Sequence, residues 1–275
     1  MSNKLLKVEL IAHTPNPEAV IASSAKLCYS PVGVCEIMEK QTDEQVEKFL
    51  KMLMSMGHES PIEHVSFTFG IEGVSRIVET QLVRHRIASY SIQSGRYVKR
   101  DNPDFVIPDM IENDHMALAL FDEAMENAVY AYNQLVERLM WKQIDDWYNK
   151  NKELELEYNS LDTLGEFKNL HKKEYSKFEK IAIENARYVY PQSLATKIVV
   201  TMNARTLMNF MKHRTCHRAQ DEIQELAWAM LEKVNEVAPT LAKYMGASCL
   251  VKNKCSEGAM CCGKPIKEHK WNKGE

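Results

Sequence analysis

The segment with the highest density of groups able to bind an anion is RHRIASYSIQSGRY, residues 84–97. It begins with Arg84, His85 and Arg86, and three arginines, one histidine and three serines share its fourteen residues. At the end of a helix, consecutive side chains point about 100° apart, so that Arg-His-Arg would surround a multivalent anion. The Ser-Gly-Arg triplet adds the donors typical of a second anion site. The segment predicts phosphate binding, with a solvated basic turn as the alternative.

A second set of basic residues follows helical spacing nearer the C-terminus. Arg205 and Asn209 are four residues apart, as are Arg214 and Arg218, so each pair shares one face of a helix. Without enough carboxylates on the same stripe, these cations favour an external anion or a partner chain. Glu222, one turn beyond Arg218, is the alternative partner within the chain.

Two further groups have residue types suited to chemistry. The segment GHESPIEH, residues 57–64, contains two histidines and two glutamates. This composition suits a metal site, and metal-free hydrogen bonding explains it equally well. Cys216 is followed by His217, so a thiolate nucleophile with an adjacent base is also a candidate.

The cysteines argue against a disulfide-bonded protein. Seven cysteines are an odd number, and three of them are scattered singly. The other four fall in the last 27 residues, at Cys249, Cys255, Cys261 and Cys262. Their spacing lacks the short paired knuckles of structural zinc sites. We therefore expect a flexible thiol-bearing tail, with a metal site as the alternative.

Length and composition limit the class of protein. At roughly 150 residues per domain, 275 residues form one large domain or one domain with an insertion. A net charge of −3 disfavours a protein that coats nucleic acid. No apolar run approaches the roughly 18 residues of a membrane span, and the polar N-terminus has no signal-peptide core. The expectation is a cytoplasmic protein.

Hydrophobic periodicity predicts the elements that must position these groups. The predicted elements are strands over 5–13 and 65–72 and helices over 43–56, 76–84 and 202–238. Gly57 and Pro239 end two of these helices. Residues 113–180 are a charged excursion, predicted to contain a long amphipathic helix with Leu120 and Leu135 on its apolar face.

Three blocks of the sequence resemble the flavin-dependent thymidylate synthases. The most specific is RHR, residues 84–86, followed after seven residues by SGRY, residues 94–97. The segment HESPIEH, residues 58–64, precedes it, and NARTLMNF, residues 203–210, follows it, in the order of that family. The resemblance covers most of the chain outside the charged excursion.

The resemblance implies a fold, a reaction and an assembly. The fold would be α+β, with a mixed sheet and long helices, as one domain over 1–275 that carries the excursion at about 113–180 and the tail at about 246–275. The protein would be a homotetramer with active sites shared between subunits. It would bind FAD, take electrons from NADPH and a methylene group from methylenetetrahydrofolate, and convert dUMP to dTMP. The tail is expected to be dispensable for flavin binding.

The resemblance also assigns residues by motif position, and it assigns none to a metal. FAD would be held by His58, Ser60, Arg84, His85, Arg86, Ile87, Asn203, Arg205 and Asn209. The nucleotide dUMP would be held by Gln81, Gln93, Ser94, Gly95, Arg96, Arg187 and Arg214. One departure is Ile92, where the family often has an acidic residue, because an Ile side chain neither donates nor accepts a hydrogen bond. Gln93 or a neighbouring backbone group would compensate.

The matched motifs lack an activated nucleophile. Apart from Cys216, whose flanking sequence differs from that of conventional thymidylate synthases, none of their nucleophiles has a base beside it. We therefore expect the uracil ring to attack through its carbon 5 while a guanidinium polarises a ring carbonyl. Arg214 is the residue expected in this role, and Arg96 and Arg187 would fix the nucleotide. The alternative to an enzyme is an oligomeric RNA-binding module that uses the Arg-His-Arg segment.

Overall fold

The structure, a computed structural model, describes residues 5–96, 98–99, 101–158 and 160–274. It divides the chain into two compact units. Unit 1 combines Met1–Ile92 with Thr196–Glu275, and unit 2 is Gln93–Ala195. Each unit has its own hydrophobic core. The charged excursion falls within unit 2, and a single domain over 1–275 stays a prediction.

Both units combine helices with short connections, and the sheet belongs to unit 1. In chain order, unit 1 begins with β1 (Lys7–His13), α1 (Pro17–Leu27), α2 (Val34–Lys40), α3 (Asp43–Met56), β2 (Ser66–Ser75), α4 (Arg76–Leu82) and β3 (Ser89–Ile92). Unit 2 contains α5 (Asp109–Glu112), α6 (His115–Tyr148), α7 (Glu155–Tyr158), α8 (Leu164–Leu170) and α9 (Lys172–Ala186). The chain continues with β4 (Ala195–Asn203), α10 (Ala204–Arg214), α11 (Asp221–Val237), α12 (Pro239–Ala242) and α13 (Ser248–Val251). Short 3-10 turns cover Pro61–His64, Lys152–Leu154, Arg187–Val189, Gly258–Met260 and Lys270–Gly274.

The sheet has four strands in the order β1-β2-β4-β3. The pairs β1–β2 and β3–β4 are antiparallel. Between β2 and β4, Thr68 Oγ1 lies 2.9 Å from Thr201 Oγ1, and Lys197 Nζ lies 3.1 Å from Glu72 Oε2, so the two strands also run in opposite directions. The α+β class is confirmed. The predicted mixed sheet is wrong, because each of the three pairs of neighbouring strands is antiparallel.

The early elements of unit 1 form where the sequence predicts them. In β2, Phe67, Phe69 and Ile71 are fully buried while the residues between them are partly exposed, which confirms a half-buried strand. The hydroxyl of Thr42 caps α3, and α3 ends at Gly57, whose φ of 72° is the left-handed conformation that favours glycine. α11 packs against β1, β2 and α4 and so covers the apolar face of the sheet.

The single helix predicted over 202–238 is wrong. Met202 and Asn203 are the last residues of β4, and a turn separates α10 from α11. Asn203 is the N-cap residue of α10, because its side chain accepts a hydrogen bond from the N–H of Thr206 at 2.8 Å. Gln220 caps α11 in the same way. The rest of β4, whose burial alternates along the strand, was not predicted as a strand.

Unit 2 is organised around the long helix predicted for the excursion. α6 is 34 residues long and packs against α9. Its buried residues are four apart, at Tyr132, Val136, Met140, Ile144 and Tyr148. Leu120 and Leu135 are exposed, so the long helix is confirmed while its predicted apolar face is displaced. Among the described residues, no helix combines the length and apolar character needed to cross a membrane.

The two ends of the C-terminal tail pack against unit 1, whereas most of residues 252–268 are exposed, so the expectation of a flexible segment stays a prediction. The N–H of Ala247 donates to the buried hydroxyl of Thr215 at 2.8 Å. Further on, the buried ring of His269 donates from Nε2 to the carbonyl of Met245 at 3.0 Å and stacks on Trp271 at 4.3 Å. Trp271 packs against the core of unit 1. These contacts hold a segment whose sequence is otherwise rich in Lys and Gly.

Candidate active site

The start of α4 is anchored to α11. Ser75 caps α4, and the carboxylate of Glu222 accepts from the N–H and the hydroxyl of Ser75 at 2.7 and 2.6 Å. Burial raises the pKa of Glu222. Glu222 is therefore not the partner of Arg218, which pairs instead with Glu257 at 2.9 Å. The helix that leads into the Arg-His-Arg segment is thus fixed at its first turn.

The Arg-His-Arg segment lies in the turn between α4 and β3. The N–H groups of Arg84 and His85 donate to the carbonyls of Gln81 and Leu82, which is three-residue rather than helical spacing. Tyr90 closes the turn, because its hydroxyl donates to the carbonyls of Leu82 and His85 at 2.8 Å each. The segment therefore follows the C-terminal end of α4, which is Leu82 rather than the predicted Arg84, and it lies in a turn.

A cavity of about 800 Å³ in unit 1 brings together most of the residues predicted to hold FAD. The predicted residues that line it are Arg84, His85, Arg86, Ile87, Asn203, Arg205 and Asn209. His58 and Ser60 are exposed and flank the lining residue Glu59, but neither lines the cavity. Two segments far apart in the sequence, the turn after α4 and the face of α10, thus share one concave surface.

The lining of this cavity suits a large anion with apolar rings. Arg84 and Arg86 are exposed, and neither side chain forms an ion pair with any residue that the structure describes. The first turn of α10 also faces the cavity and adds the positive end of a helix dipole. Apolar contact surface comes from Met208 and from Ile87, whose side chain is 77% exposed.

Arg205 differs from the other arginines because carboxylates surround it. Its Nε lies 3.1 Å from Glu59 Oε2, and its Nη1 pairs with Glu63. The pairing with Glu63 first, then with Glu59, raises the pKa of Arg205. The expectation that this stripe lacks carboxylates is wrong for Arg205 and Arg218, because the partners come from other segments. The two glutamates of the GHESPIEH segment therefore serve as ion-pair partners.

Arg214 is held by uncharged acceptors. Its Nε lies 3.4 Å from His85 Nε2, and its Nη1 lies 3.4 Å from Gln81 Oε1. Burial, together with the positive charges of Arg214 and His213, lowers the pKa of His85 to about 4. The imidazole is therefore neutral near pH 7 and accepts from Arg214 at Nε2. Two residues predicted to hold dUMP, Gln81 and Arg214, thus contact each other beside His85, which lines the cavity, although neither of them lines it.

The remaining residues predicted to hold dUMP lie in unit 2. They are Gln93, Ser94, Gly95, Arg96 and Arg187. Arg96 makes a two-point ion pair with Glu184 at 2.9 and 3.0 Å. Arg187 begins the 3-10 turn after α9. The role of these residues toward dUMP stays a prediction, and Tyr97, the last residue of the motif, lies outside the described residues.

The structure shows the surroundings of two residues that the sequence singled out, Ile92 and Cys216. Ile92 is the last residue of β3, pairs with Ile198 and packs against the core of unit 1. Cys216 lies in the turn between α10 and α11, and within the described part of the chain no base forms a hydrogen bond with its thiol. The same part of the chain contains no group of three His, Cys, Asp or Glu residues arranged to hold a metal ion.

Several residues of the cavity wall were not predicted from the sequence. The missed residues are Glu59, Ile62, Glu63, Thr206, Met208, Lys212, Tyr244, Gly246, Ser248, Val251 and Lys252. Lys212 follows Arg205 and Met208 at helical spacing, so periodicity along α10 contained the signal that identifies it. The residues from Tyr244 to Lys252 had no such signal, because they reach the cavity through the packing of the tail. The expectation that the whole tail is dispensable for flavin binding is therefore at odds with its place in the wall.

Comparisons with known proteins cover nearly the whole chain. The model of the family described as "Thymidylate synthase complementing protein" matches residues 9–240. A "Flavin-dependent thymidylate synthase" of Clostridium tetani is 54% identical over 259 residues, which are 94% of each chain. The proteins of the same name from Geobacter sulfurreducens and Pyrococcus horikoshii are 41% and 37% identical over 261 residues. These matches cover 94% of each chain for the former, and 92% of this chain and 90% of the relative for the latter.

Proposed function

Because the chain belongs to the thymidylate synthase complementing protein family, we propose that it is a flavin-dependent thymidylate synthase, a methyltransferase. It converts dUMP to dTMP, with methylenetetrahydrofolate as methylene donor and NADPH as reductant of FAD. The observation that carries this proposal is the cavity of unit 1. Its lining contains the turn residues 84–87 together with Asn203, Arg205 and Asn209, which are residues that the sequence motifs assign to FAD.

The residues of the cavity fit FAD by charge, apolar surface and volume. A cavity of about 800 Å³ lies in the range of small-molecule sites, which run from about 300 to 1,000 Å³. Arg84, Arg86 and Lys212 supply positive charge for the two phosphates, and the first turn of α10 adds the positive end of a helix dipole. Ile87 and Met208 offer apolar surface to flat rings. When bound, FAD supplies hydride-transfer chemistry that no side chain provides.

Arg214 is the proposed catalytic residue. Its guanidinium is held by Gln81 and by neutral His85, so two acceptors orient it without cancelling its charge. It is half-buried, which strengthens its interaction with a developing negative charge. We assign it to an oxygen of the uracil ring, where it stabilises negative charge while carbon 5 attacks the methylene donor. Gln81, Gln93, Ser94, Gly95, Arg96 and Arg187 are proposed to hold dUMP.

The proposal includes an assembly and a location. A homotetramer with shared active sites is the assembly that the sequence resemblance implies. Large apolar side chains near the start of α6 support a subunit contact, since Met116 is 72% exposed and Leu120 is 66% exposed. The cytoplasm, which supplies the nucleotide, the folate and NADPH, is the proposed location.

A spectrum and a product assay test the function together. The purified protein is expected to show the visible absorption of oxidised flavin, and to form dTMP only when dUMP, methylenetetrahydrofolate and NADPH are all present. Omitting each component in turn is the control. A yellow protein that forms no dTMP would contradict the activity. A colourless protein that binds single-stranded RNA would replace it with the RNA-binding alternative.

A further inference from the structure

A short segment of the chain between α12 and α13 forms part of the wall of the proposed flavin cavity. Its residues, 244–248, are called the wall strip here. Tyr244, Gly246 and Ser248 line the cavity, whereas the residues between them, Met245 and Ala247, are buried. The strip thus has one side toward the cavity and one toward the protein interior. Because it lies between two short helices, its position depends on contacts from other parts of the chain.

One buried hydrogen bond attaches the wall strip to the end of α10. The N–H of Ala247 donates to Thr215 Oγ1 at 2.8 Å, and that hydroxyl donates in turn to the carbonyl of Met211 at 2.8 Å. Thr215 is fully buried. Its own carbonyl accepts from Nε2 of Gln224 in α11 at 3.2 Å. The later half of the strip is therefore fixed to α10, a helix that also lines the cavity.

A second buried hydrogen bond reaches the wall strip from the far end of the tail. His269 Nε2 lies 3.0 Å from the carbonyl oxygen of Met245. Since a carbonyl oxygen only accepts, Nε2 is the donor. Burial lowers the pKa of His269, so its imidazole is neutral near pH 7 and carries a single N–H. Met245 stands between the lining residues Tyr244 and Gly246, so this bond fixes the peptide group that leads into Gly246.

Ring contacts hold His269 itself in place. Its imidazole stacks on Trp271, with ring centres 4.3 Å apart, and meets Trp228 in a T-shaped arrangement at 6.4 Å. The ammonium of Lys270 lies 5.6 Å from the centre of the Trp228 ring. Trp228 belongs to α11 and is 4% exposed. Three consecutive residues at the end of the tail are thus fastened to a helix of the unit 1 core.

The residue between the two hydrogen bonds is a glycine with an unusual backbone conformation. Gly246 has a φ of 139°, which glycine adopts readily and other residues rarely. An added Cβ would lie 2.8 Å from Leu250 Cδ2, so the bare backbone forms this part of the wall. Glycine also has the largest conformational freedom to lose on ordering. The bonds at Met245 and Ala247 therefore restrain the most adaptable point of the wall strip.

We propose that His269 is a positioning residue for FAD, which holds the carbonyl of Met245 and thereby keeps the wall strip in place against the bound cofactor. The assignment rests on the proposed function, because it takes FAD as the ligand of the cavity. His269 is not among the lining residues, so it acts through the backbone of the strip. Without its N–H, a buried carbonyl loses its donor, and FAD affinity is expected to fall by about tenfold.

Substitutions in the full-length protein separate the hydrogen bond from the packing of the ring. His269→Phe keeps an aromatic ring and removes the donor, whereas His269→Gln removes the ring and keeps an N–H of similar reach. Fluorescence titration of the apoprotein with FAD is expected to show about tenfold weaker binding by His269→Phe and near-normal binding by His269→Gln. Lys264→Ala, at an exposed position of the tail, is the control and should bind normally. Equal binding by His269→Phe and wild type, or equal losses in both His269 variants, would overturn the proposal.

Hydrogen exchange of the apoprotein tests the same contact without flavin. Amides of residues 244–248 are expected to exchange faster in His269→Phe than in wild type, while those of β2 stay unchanged. His269→Asn, whose amide is one methylene shorter than that of His269→Gln, supplies the comparison if His269→Phe does not fold, and it should show the faster exchange and the weaker FAD binding. Unchanged exchange in the strip would overturn the proposal. Faster exchange in a protein whose wild type binds no FAD would overturn the proposed function and the role toward FAD, while supporting the hold of His269 on the strip.

Discussion

At the scale of single residues, the contrast between two arginines of unit 1 explains which one is suited to catalysis. Arg205 is paired with Glu59 and Glu63, so most of its field is cancelled. Arg214 is held by neutral His85 and Gln81, which accept its N–H groups and leave its charge intact. A guanidinium that must stabilise charge on a substrate needs the second arrangement.

Replacing Arg214 by Ala is expected to separate cofactor chemistry from product formation. Arg214→Ala should retain bound FAD and its reduction by NADPH, yet lose at least about a hundredfold in the rate of dTMP formation, the usual effect of removing one preorganised donor. Rapid-mixing absorbance and a product assay measure the two steps. Arg214→Lys should recover little activity, because a point charge replaces a planar fork. Near-normal turnover by Arg214→Ala would assign the role to another residue.

Arg86 is expected to contribute to cofactor affinity rather than to chemistry. Arg86→Ala removes an exposed cation that has no ion-pair partner among the described residues, so FAD should bind about ten- to a hundredfold more weakly. Fluorescence titration of the apoprotein provides the measurement. Lys48→Ala, which removes an exposed cation from α3 outside the cavity, is the matched control and should leave the affinity unchanged. Equal losses in both variants would show only a general charge effect.

The neutral state of His85 predicts a pH dependence of stability. Its pKa is about 4 in the folded protein and about 6.5 when unfolded, so between these values the unfolded chain binds more protons. Stability should therefore fall as the pH drops from about 6.5 toward 4. Thermal unfolding at pH 7 and pH 5 should show a smaller drop in His85→Gln, by about 1 kcal/mol after allowance for partial exposure. A residual drop is expected from His269, whose pKa is also lowered by burial. Identical pH profiles for variant and wild type would contradict a neutral His85.

At the scale of elements, two glycines with nearly equal positive φ angles predict different costs of substitution. Gly73 in β2 has a φ of 74°, and an added Cβ would lie 1.9 Å from the carbonyl oxygen of Leu5. Gly57 has a φ of 72°, with nothing within 4 Å of an added Cβ. Gly57→Ala should cost about 1 kcal/mol of unfolding free energy, from backbone strain alone. Gly73→Ala should cost at least about 2 kcal/mol more, because backbone must move. Urea unfolding compares them, and equal costs would refute the clash.

The elements with strong local signals could be predicted from the sequence. α3 has a capping box and a C-terminal glycine, β2 alternates strictly, and the Arg-His-Arg motif identified one wall of the cavity. β4 was not predicted, because only its last two residues, Met202 and Asn203, fell within the helix predicted over 202–238. The part of the cavity wall that the tail contributes could not be predicted, since Tyr244 and Lys252 reach the cavity only through packing against residues far away in the sequence. Ion-pair partners such as Glu59 were missed for the same reason.

At the scale of the whole molecule, the proposed homotetramer predicts a particle mass that light scattering can measure. Light scattering of the purified protein should give four times the mass of the chain. Leu120→Asp places a charge among the exposed apolar residues at the start of α6 and should shift the protein toward smaller species, with a loss of dTMP formation if sites are shared. Glu126→Ala, an exposed polar position on the same helix, is the control. A fully active monomer would contradict the shared sites.

The strand order determines which strands can pair while the protein is being synthesised. β4 lies between β2 and β3 in the sheet, yet unit 2 separates it from both in the chain. On a ribosome, β1 to β3 therefore emerge without the strand that joins them, and the contiguous unit 2 can fold first. The part of the cavity wall from Tyr244 to Lys252 leaves the exit tunnel only after all four strands. A chain that terminates early would therefore expose unpaired strand edges and lack a complete cofactor pocket, which makes truncated products natural targets for chaperones and proteases.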